Sequence, residues 1–278
     1  MTSELLLSRL KQTNYSWIRD LVSNTPLIAG LYRYFWAWRR KVSACRGIFR
    51  TFEAASASAP RNAKVGYSQQ EVRRHKNPAL LTARRNLGEF QPRDYPILIW
   101  LAHAFRQSNT LFDLGGNVGL EYYAYSRFMR YPEGLKWTVC EIDEICEVGQ
   151  KLARENKAIG LQFTNDFQHA DGAEILLSCG AIQYLQKDLS EMIASLPLAP
   201  RHVLVNRVPL GDVPTFFTIQ NIGYAFCAYK IQNREDFINS LTLLGYKLID
   251  QWRDARYCHI PFHPGLTVKG YSGFYFRR

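Results

Sequence analysis

The sequence predicts an α/β protein built on a seven-stranded, mostly parallel sheet, with a helical extension at its N-terminal end. Three observations carry that expectation. From about residue 110 onward, short apolar runs alternate with helix-length amphipathic stretches, the pattern of a parallel sheet covered by helices. The first apolar run, TLFDL, opens directly into a Gly-Gly-Asn-Val-Gly turn and a helix-like segment. The last two runs are joined by a loop with no helix, as expected if the seventh strand turns back antiparallel.

At 278 residues the chain is long enough for one sizeable α/β domain and an extension. Its formal charge of +11 comes from 35 basic against 24 acidic residues. Much of the excess is in the first third: no acid falls between Asp20 and Glu53, whereas Arg33, Arg39, Arg40, Lys41, Arg46 and Arg50 do. The basic character therefore belongs to the extension, which favours anionic partners, rather than to the α/β half. The six cysteines form no C-x-x-C pair, so neither a zinc site nor a disulfide framework is expected, and a reducing cytoplasm is the natural compartment. No apolar run reaches 18 residues, and no secretory signal pattern opens the chain.

In order along the chain, residues 1–55 read as helical, with a break at Asn24-Thr25-Pro26. The aromatic-dense stretch LIAGLYRYFWAW, followed by Arg39, Arg40 and Lys41, leaves two roles open for residues 27–41. It packs on the main domain or on a second subunit as a homodimer contact, or it lies in a membrane interface as a peripheral contact on the inner face. Residues 56–105 hold a small, polar linker and then lid-like helices, one of them broken at Asn77-Pro78. The α/β domain spans 106–278, with strands at 110–114, 136–141, 161–164, 173–179, 202–207, 246–253 and 271–277. Helices fall near 119–130, 143–158, 183–195 and 233–244.

The chemistry concentrates at the strand tips, because ligands of open α/β sheets bind outside the carboxyl ends of the strands. Asp113 precedes the first glycine by two residues. A carboxylate there would repel the pyrophosphate of a dinucleotide and suits a cationic ligand. Asn117 occupies a position where a second glycine is usual, and asparagine tolerates the left-handed backbone. Glu141 ends the second strand, KWTVCE, where an acid takes the two ribose hydroxyls of a nucleoside. Against this stand the plainer readings of an ordinary strand-helix turn and of Glu141 or Asp143 as a helix cap; for Asp143 the cap is favoured.

Together these segments resemble the Rossmann-like, class I S-adenosylmethionine-dependent methyltransferases over roughly residues 105–278. A longer similarity runs through RGIFRTFEAA, RDYPI, LFDLGGNVG, SCGAIQYL, NRVPL, TIQNIG, LGYKLIDQW and GFYF. It resembles a family of bacterial methyltransferases associated with surface-polysaccharide genes. The resemblance implies S-adenosyl-L-methionine as cofactor, with Asp113, Gly115, Gly116 and Gly119 facing its methionine end and Glu141 its ribose. Asp166 and Phe167 would face its adenine; Asn117, Ile142 and Ser178 complete the cofactor-binding set. Helices ahead of the first strand would act as a lid, with Tyr67 a candidate.

For the acceptor side, His259 and His263 lie in a loop expected on the same rim and are the candidate general bases; packing against nearby prolines and aromatics is the competing role. Arg207, at the end of the fifth strand, would clamp an acidic acceptor or form a structural ion pair. Gln183, Tyr184, Gln220, Asn221 and Tyr224 are further acceptor-side candidates. SCGAIQYL lacks the Pro-Pro-aromatic signature of base-amine methylation, which leaves a hydroxyl of a small molecule, sugar or glycan precursor as the expected acceptor. A catalytically silent cofactor-binding partner subunit and an RNA methyltransferase are the alternatives; nucleic acid is disfavoured for want of a recognisable RNA-binding module. No metal is expected in the site.

Overall fold

The computed structural model describes Leu31, residues 44–61, 63–66, 91–223 and 225–278. In chain order its strands and α-helices are β1 (Ala44–Phe49), α1 (Phe52–Ala57), α2 (Tyr95–Ala104), β2 (Thr110–Leu114), α3 (Leu120–Tyr125), β3 (Lys136–Cys140), α4 (Asp143–Glu155) and β4 (Leu161–Thr164). There follow β5 (Ile175–Cys179), α5 (Leu189–Ala194), β6 (His202–Val208), β7 (Leu210–Gly211), β8 (Phe216–Asn221), β9 (Phe226–Asn233), α6 (Arg234–Leu243), β10 (Lys247–Cys258) and β11 (Val268–Arg277).

The main sheet has seven strands in the order β10-β11-β6-β5-β2-β3-β4. β11 runs antiparallel to both neighbours, and β2 to β6 pair parallel. This is the predicted architecture, and its cause is visible in the residues. The central strands are apolar on both faces, as a doubly covered sheet requires. Phe112, Leu176, Val203, Val205, Phe274 and Phe276 face one layer, whereas Leu111, Ile175, Leu177, Leu204 and Tyr275 face the other. The second layer receives α2 through buried Ile97, Leu101 and Ala104. Trp100 adds a stack on Tyr275 at 4.6 Å and an indole N–H donated to Asp250 Oδ2 at 2.7 Å.

The structure corrects several boundaries. Residues 44–49 were expected in a helical extension but form β1, the edge of a second sheet of order β1-β8-β9-β7. β1 pairs antiparallel with β8, with Cys45 opposite Gln220. The helix after Gly119 is six residues long rather than reaching 130, and the stretch 183–195 is helical in α5 only over 189–194. β10 continues to Cys258 and β11 begins at Val268, which shortens the loop carrying the two histidines. The aromatic segment 27–41, apart from Leu31, and the lid candidate Tyr67 lie outside the described residues, as do 68–90 and Tyr224. Among the described residues no helix is long and apolar enough to cross a membrane.

His202 gives the fold a measurable pH dependence. It is 2% exposed, its Nδ1 shares a 2.7 Å hydrogen bond with the Tyr275 hydroxyl, and its Nε2 has no partner. Burial, reinforced by Arg277 and Arg201, lowers its pKa to about 4. The unfolded chain protonates near ~6.5, so this group's contribution is intact above that value and is lost as pH falls toward the folded pKa, on the order of 3 kcal/mol in all. Urea midpoints measured from pH 7 down to 4.5 are expected to drop more steeply for the native chain than for His202→Asn. Parallel curves would place the acid sensitivity elsewhere.

Candidate functional site

Two adjoining cavities open at the carboxyl ends of the parallel strands. The first has a volume of about 680 Å³ and lies above β2 and β3; the second, about 390 Å³, lies between β6, β10 and the second sheet. Cys179, Gly180, Tyr184 and Arg207 line both and form the boundary between them.

The floor of the first cavity is the glycine turn. Gly115 has φ of +76°, and a Cβ there would sit 2.2 Å from that of Ala181, so the position requires glycine twice over. Asn117 takes the left-handed conformation at φ 58°, as its residue type allows. In that conformation its N–H donates to Glu141 Oε1 at 3.2 Å, while its own Oδ1 accepts from the Val118 N–H at 3.0 Å. Glu141 Oε2 accepts from the Ile142 N–H at 3.2 Å. The carboxylate at the tip of β3 is thus held by backbone donors, with its side chain on the cavity wall.

Asp113 is placed differently from the expectation. Its side chain is fully buried behind the turn rather than in the cavity: Oδ2 accepts the Trp137 indole N–H at 3.0 Å, and Oδ1 has no partner among the described residues. Burial, with Glu121 nearby, pushes its pKa well above the usual carboxylate range. Gly116 is glycine on its account, because a Cβ there would lie 2.2 Å from Asp113 Oδ2. Asp113 shapes the turn; it does not line the cavity. Gly116 and Gly119 are likewise behind the cavity surface.

At the other end, Asp166 caps a short 3-10 turn by accepting from the Gln168 N–H, and Phe167 packs edge-on against Phe112 at 5.6 Å. Neither lines the cavity; their neighbour Asn165 does. Ser178 donates to the Leu114 carbonyl at 2.9 Å and is buried, a structural bond between β5 and β2. Asp143 is the first residue of α4 rather than its cap, and its Oδ1 accepts from Asn165 Nδ2 at 2.6 Å. Of the predicted cofactor residues, Gly115, Asn117, Glu141 and Ile142 therefore meet in one cavity.

Sequence reasoning missed Glu121, the residue that gives this cavity much of its charge. It follows Leu120 at the start of α3, where a glutamate reads as an ordinary solvated helix position. Its Oε1 accepts from Arg207 Nη2 at 2.8 Å, with the two side chains 13% and 24% exposed. Burial raises the Glu121 pKa more than the guanidinium lowers it. Burial is the largest influence on the Arg207 pKa and lowers it, but Glu121, Cys179, Tyr125 and Asp94 together outweigh it and the net shift is upward. Arg207 also donates to the Cys179 carbonyl and holds φ at 63°, a conformation costly for a residue with a Cβ. Arg207 makes an ion pair with Glu121 while lining both cavities. Among the described residues Glu121, Glu141 and Asp143 face the cavity against a single guanidinium, so this part of its wall carries net negative charge.

The second cavity contrasts with the first: among the described residues no carboxylate lines it. The Tyr184 hydroxyl donates to Gln220 Oε1 at 2.7 Å, and the Tyr229 and Tyr271 hydroxyls share a 2.8 Å bond. Gln183 donates to the Gly180 carbonyl at 2.8 Å. His259 lines this cavity, its ring stacked on Tyr257 at 5.6 Å. His263 does not; it is exposed at the start of a 3-10 turn in the loop between β10 and β11. Arg256 joins the wall and pairs with Asp254 at 2.9 Å. Asn221 lies outside the wall, its Oδ1 accepting from the Gly223 N–H at 2.8 Å. No cluster of potential metal ligands occurs among the described residues.

No protein-family model matches the chain, and no curated protein does. Solved structures do. The chain is similar to magnesium protoporphyrin IX methyltransferase from Synechocystis PCC 6803, solved with S-adenosylmethionine bound, at 15% identity over 76% of this chain and 93% of that one, with a TM-score of 0.50. It also aligns with 1,6-didemethyltoxoflavin-N1-methyltransferase from Burkholderia thailandensis at 15% identity, over 79% and 94% of the chains, with a TM-score of 0.46. An O-methyltransferase family protein from Burkholderia thailandensis aligns at 14% identity, over 91% and 71%, with a TM-score of 0.48. At these identities the likeness is one of fold: the seven-stranded sheet is that of the class I methyltransferases.

Proposed function

We propose that the chain is an S-adenosylmethionine-dependent methyltransferase that O-methylates a small-molecule hydroxyl, with a sugar or glycan precursor as the acceptor class. The observation that carries this reading is the pair of adjoining cavities, one acid-walled and one lined by hydroxyls and amides, with a common boundary at Cys179, Gly180, Tyr184 and Arg207.

The first cavity fits the cofactor on its own chemistry. Its 680 Å³ suits a nucleoside joined to an amino acid. Its excess of carboxylates suits a ligand carrying ammonium and sulfonium charge and would repel a diphosphate. Glu141, already oriented by the Asn117 and Ile142 N–H groups, is the residue to accept from ribose hydroxyls, and Asn165 with Asp143 forms the adjoining polar edge. When bound, the cofactor supplies an electrophilic methyl carbon.

The chain's own residues supply alignment and one base. The Tyr184–Gln220 and Tyr229–Tyr271 pairs present hydroxyl and amide groups suited to a polyhydroxylated acceptor. His259 is the imidazole on this wall and takes the proton from the acceptor hydroxyl. The sugar class is further supported by the sequence resemblance to methyltransferases associated with surface-polysaccharide genes.

Turnover tests the reading. Incubation with S-adenosylmethionine and a panel of monosaccharides, nucleotide sugars and lipid-linked oligosaccharides is expected to release S-adenosylhomocysteine with at least one acceptor. Cofactor binding without turnover across the panel would instead favour a silent binding subunit.

A further inference from the structure

Six thiols are present, all buried, and among the described residues one pair is in contact: Cys45 Sγ lies 3.4 Å from Cys258 Sγ across 213 residues of chain. Cys45 is on β1 and Cys258 ends β10, and both line the second cavity. We infer that Cys45 and Cys258 are a redox couple in the wall of the acceptor cavity, converted by a small-molecule disulfide to an intramolecular disulfide.

Three features separate this pair from ordinary core cysteines. The sulfurs need to approach by only about 1.4 Å to reach bonding distance. Each is registered with a cross-strand partner, Gln220 or Val268, and lies next to an irregularity in its strand pairing, between Arg46 and Phe49 in β1 and between Asp254 and Tyr257 in β10. Finally, the Cys258 contact and burial raise the Cys45 pKa well above the ordinary thiol value, and the Gln220 amide, 3.8 Å from Cys45 Sγ, acts in the opposite direction. The remaining thiols differ: Cys146, for example, donates to the Glu141 and Thr164 carbonyls at 3.3 and 3.2 Å.

The step balances as thiol–disulfide exchange. One protein thiolate attacks a sulfur of the small disulfide and expels one small thiolate, leaving a mixed disulfide. The second protein thiol loses its proton and attacks the bonded protein sulfur, expelling the second small thiolate. Two protein thiols are oxidised, the small disulfide is reduced, and the two thiol protons pass to the two released thiolates. The product staples the second sheet to the end of β10 in the wall of the second cavity, and neither cysteine lines the first. Oxidation therefore acts on acceptor entry and leaves the cofactor cavity as it is; this consequence for turnover rests on the function proposed above.

The test uses the full chain and oxidised glutathione. The expected result is loss of two of the six thiols, a Cys45–Cys258 cross-linked peptide on non-reducing digestion, and reversal by dithiothreitol. Retention of all six thiols, a cross-link between other cysteines, or a glutathione adduct that never resolves would overturn the assignment. In Cys258→Ala the adduct is expected to persist on Cys45, and an internal disulfide in that variant would also refute the pairing. Turnover is expected to fall at least tenfold on oxidation at unchanged S-adenosylmethionine affinity; equal turnover of the cross-linked and reduced forms would remove the regulatory role. A chain silent in both states would defeat the methyltransferase reading while leaving the cross-link result standing.

Discussion

Glu141→Ala is expected to weaken S-adenosylmethionine binding by about a hundredfold, read by calorimetry at constant ionic strength. The size follows from the chemistry of the contact: hydrogen bonds to a charged group contribute about 1.5–3 kcal/mol, and a carboxylate that accepts two hydroxyls is replaced by a methyl. Glu141→Gln, which keeps the shape and one acceptor oxygen, is expected to lose about tenfold. The preorganisation is part of the effect, since the Asn117 and Ile142 N–H groups hold the carboxylate before any ligand arrives. Affinity unchanged in both variants would sink the assignment of this cavity to the cofactor.

Asp113→Asn is the informative contrast. The carboxyl lies behind the turn with a raised pKa, so a neutral isostere is expected to leave binding nearly intact and to change stability instead. The sign is set by linkage. A carboxyl whose folded pKa lies above its unfolded value makes folding less favourable as pH rises from the ordinary carboxylate range through the folded pKa, and the asparagine lacks that slope.

Much of this architecture was legible in the residues, for identifiable reasons. LFDL and ILLSC are apolar on both faces apart from buried Asp113 and Ser178, as a doubly covered strand requires, and α4 carries two acids, Asp143 and Glu144, in its first turn. The second sheet was not legible. β1 sits in an arginine-rich stretch whose partner, β8, begins at Phe216, and a strand that acquires its neighbour from so far along the chain leaves no local signature. The cofactor edge was legible to the element but not to the atom. Spacing located Asp113 beside the turn, yet the direction of its side chain is decided by the Trp137 indole, which comes from another strand. Asp166 and Phe167 were one and two residues beyond the position, Asn165, that reaches the cavity wall, because exposed Asp166 caps the next turn instead.

The Arg207–Glu121 pair, hidden from sequence for the same reason, should be the most sensitive point of the site. Arg207→Met leaves Glu121 largely buried with no guanidinium, and breaking a buried pair from one side costs about 3–5 kcal/mol. Part of that loss is recoverable: burial already raises the Glu121 pKa, so without the guanidinium the acid takes up a proton more readily and the deficit narrows as pH is lowered. The double variant Arg207→Met/Glu121→Gln is expected to regain most of the stability, because no uncompensated charge remains. Function should not return with it. The pair forms part of the boundary between the two cavities, and the double variant removes one negative and one positive group together, so the net charge of the first cavity's wall is kept while the charged boundary itself is lost. A denaturation and binding cycle over the four proteins separates the two effects. If stability and affinity recover together, the pair is a structural link alone.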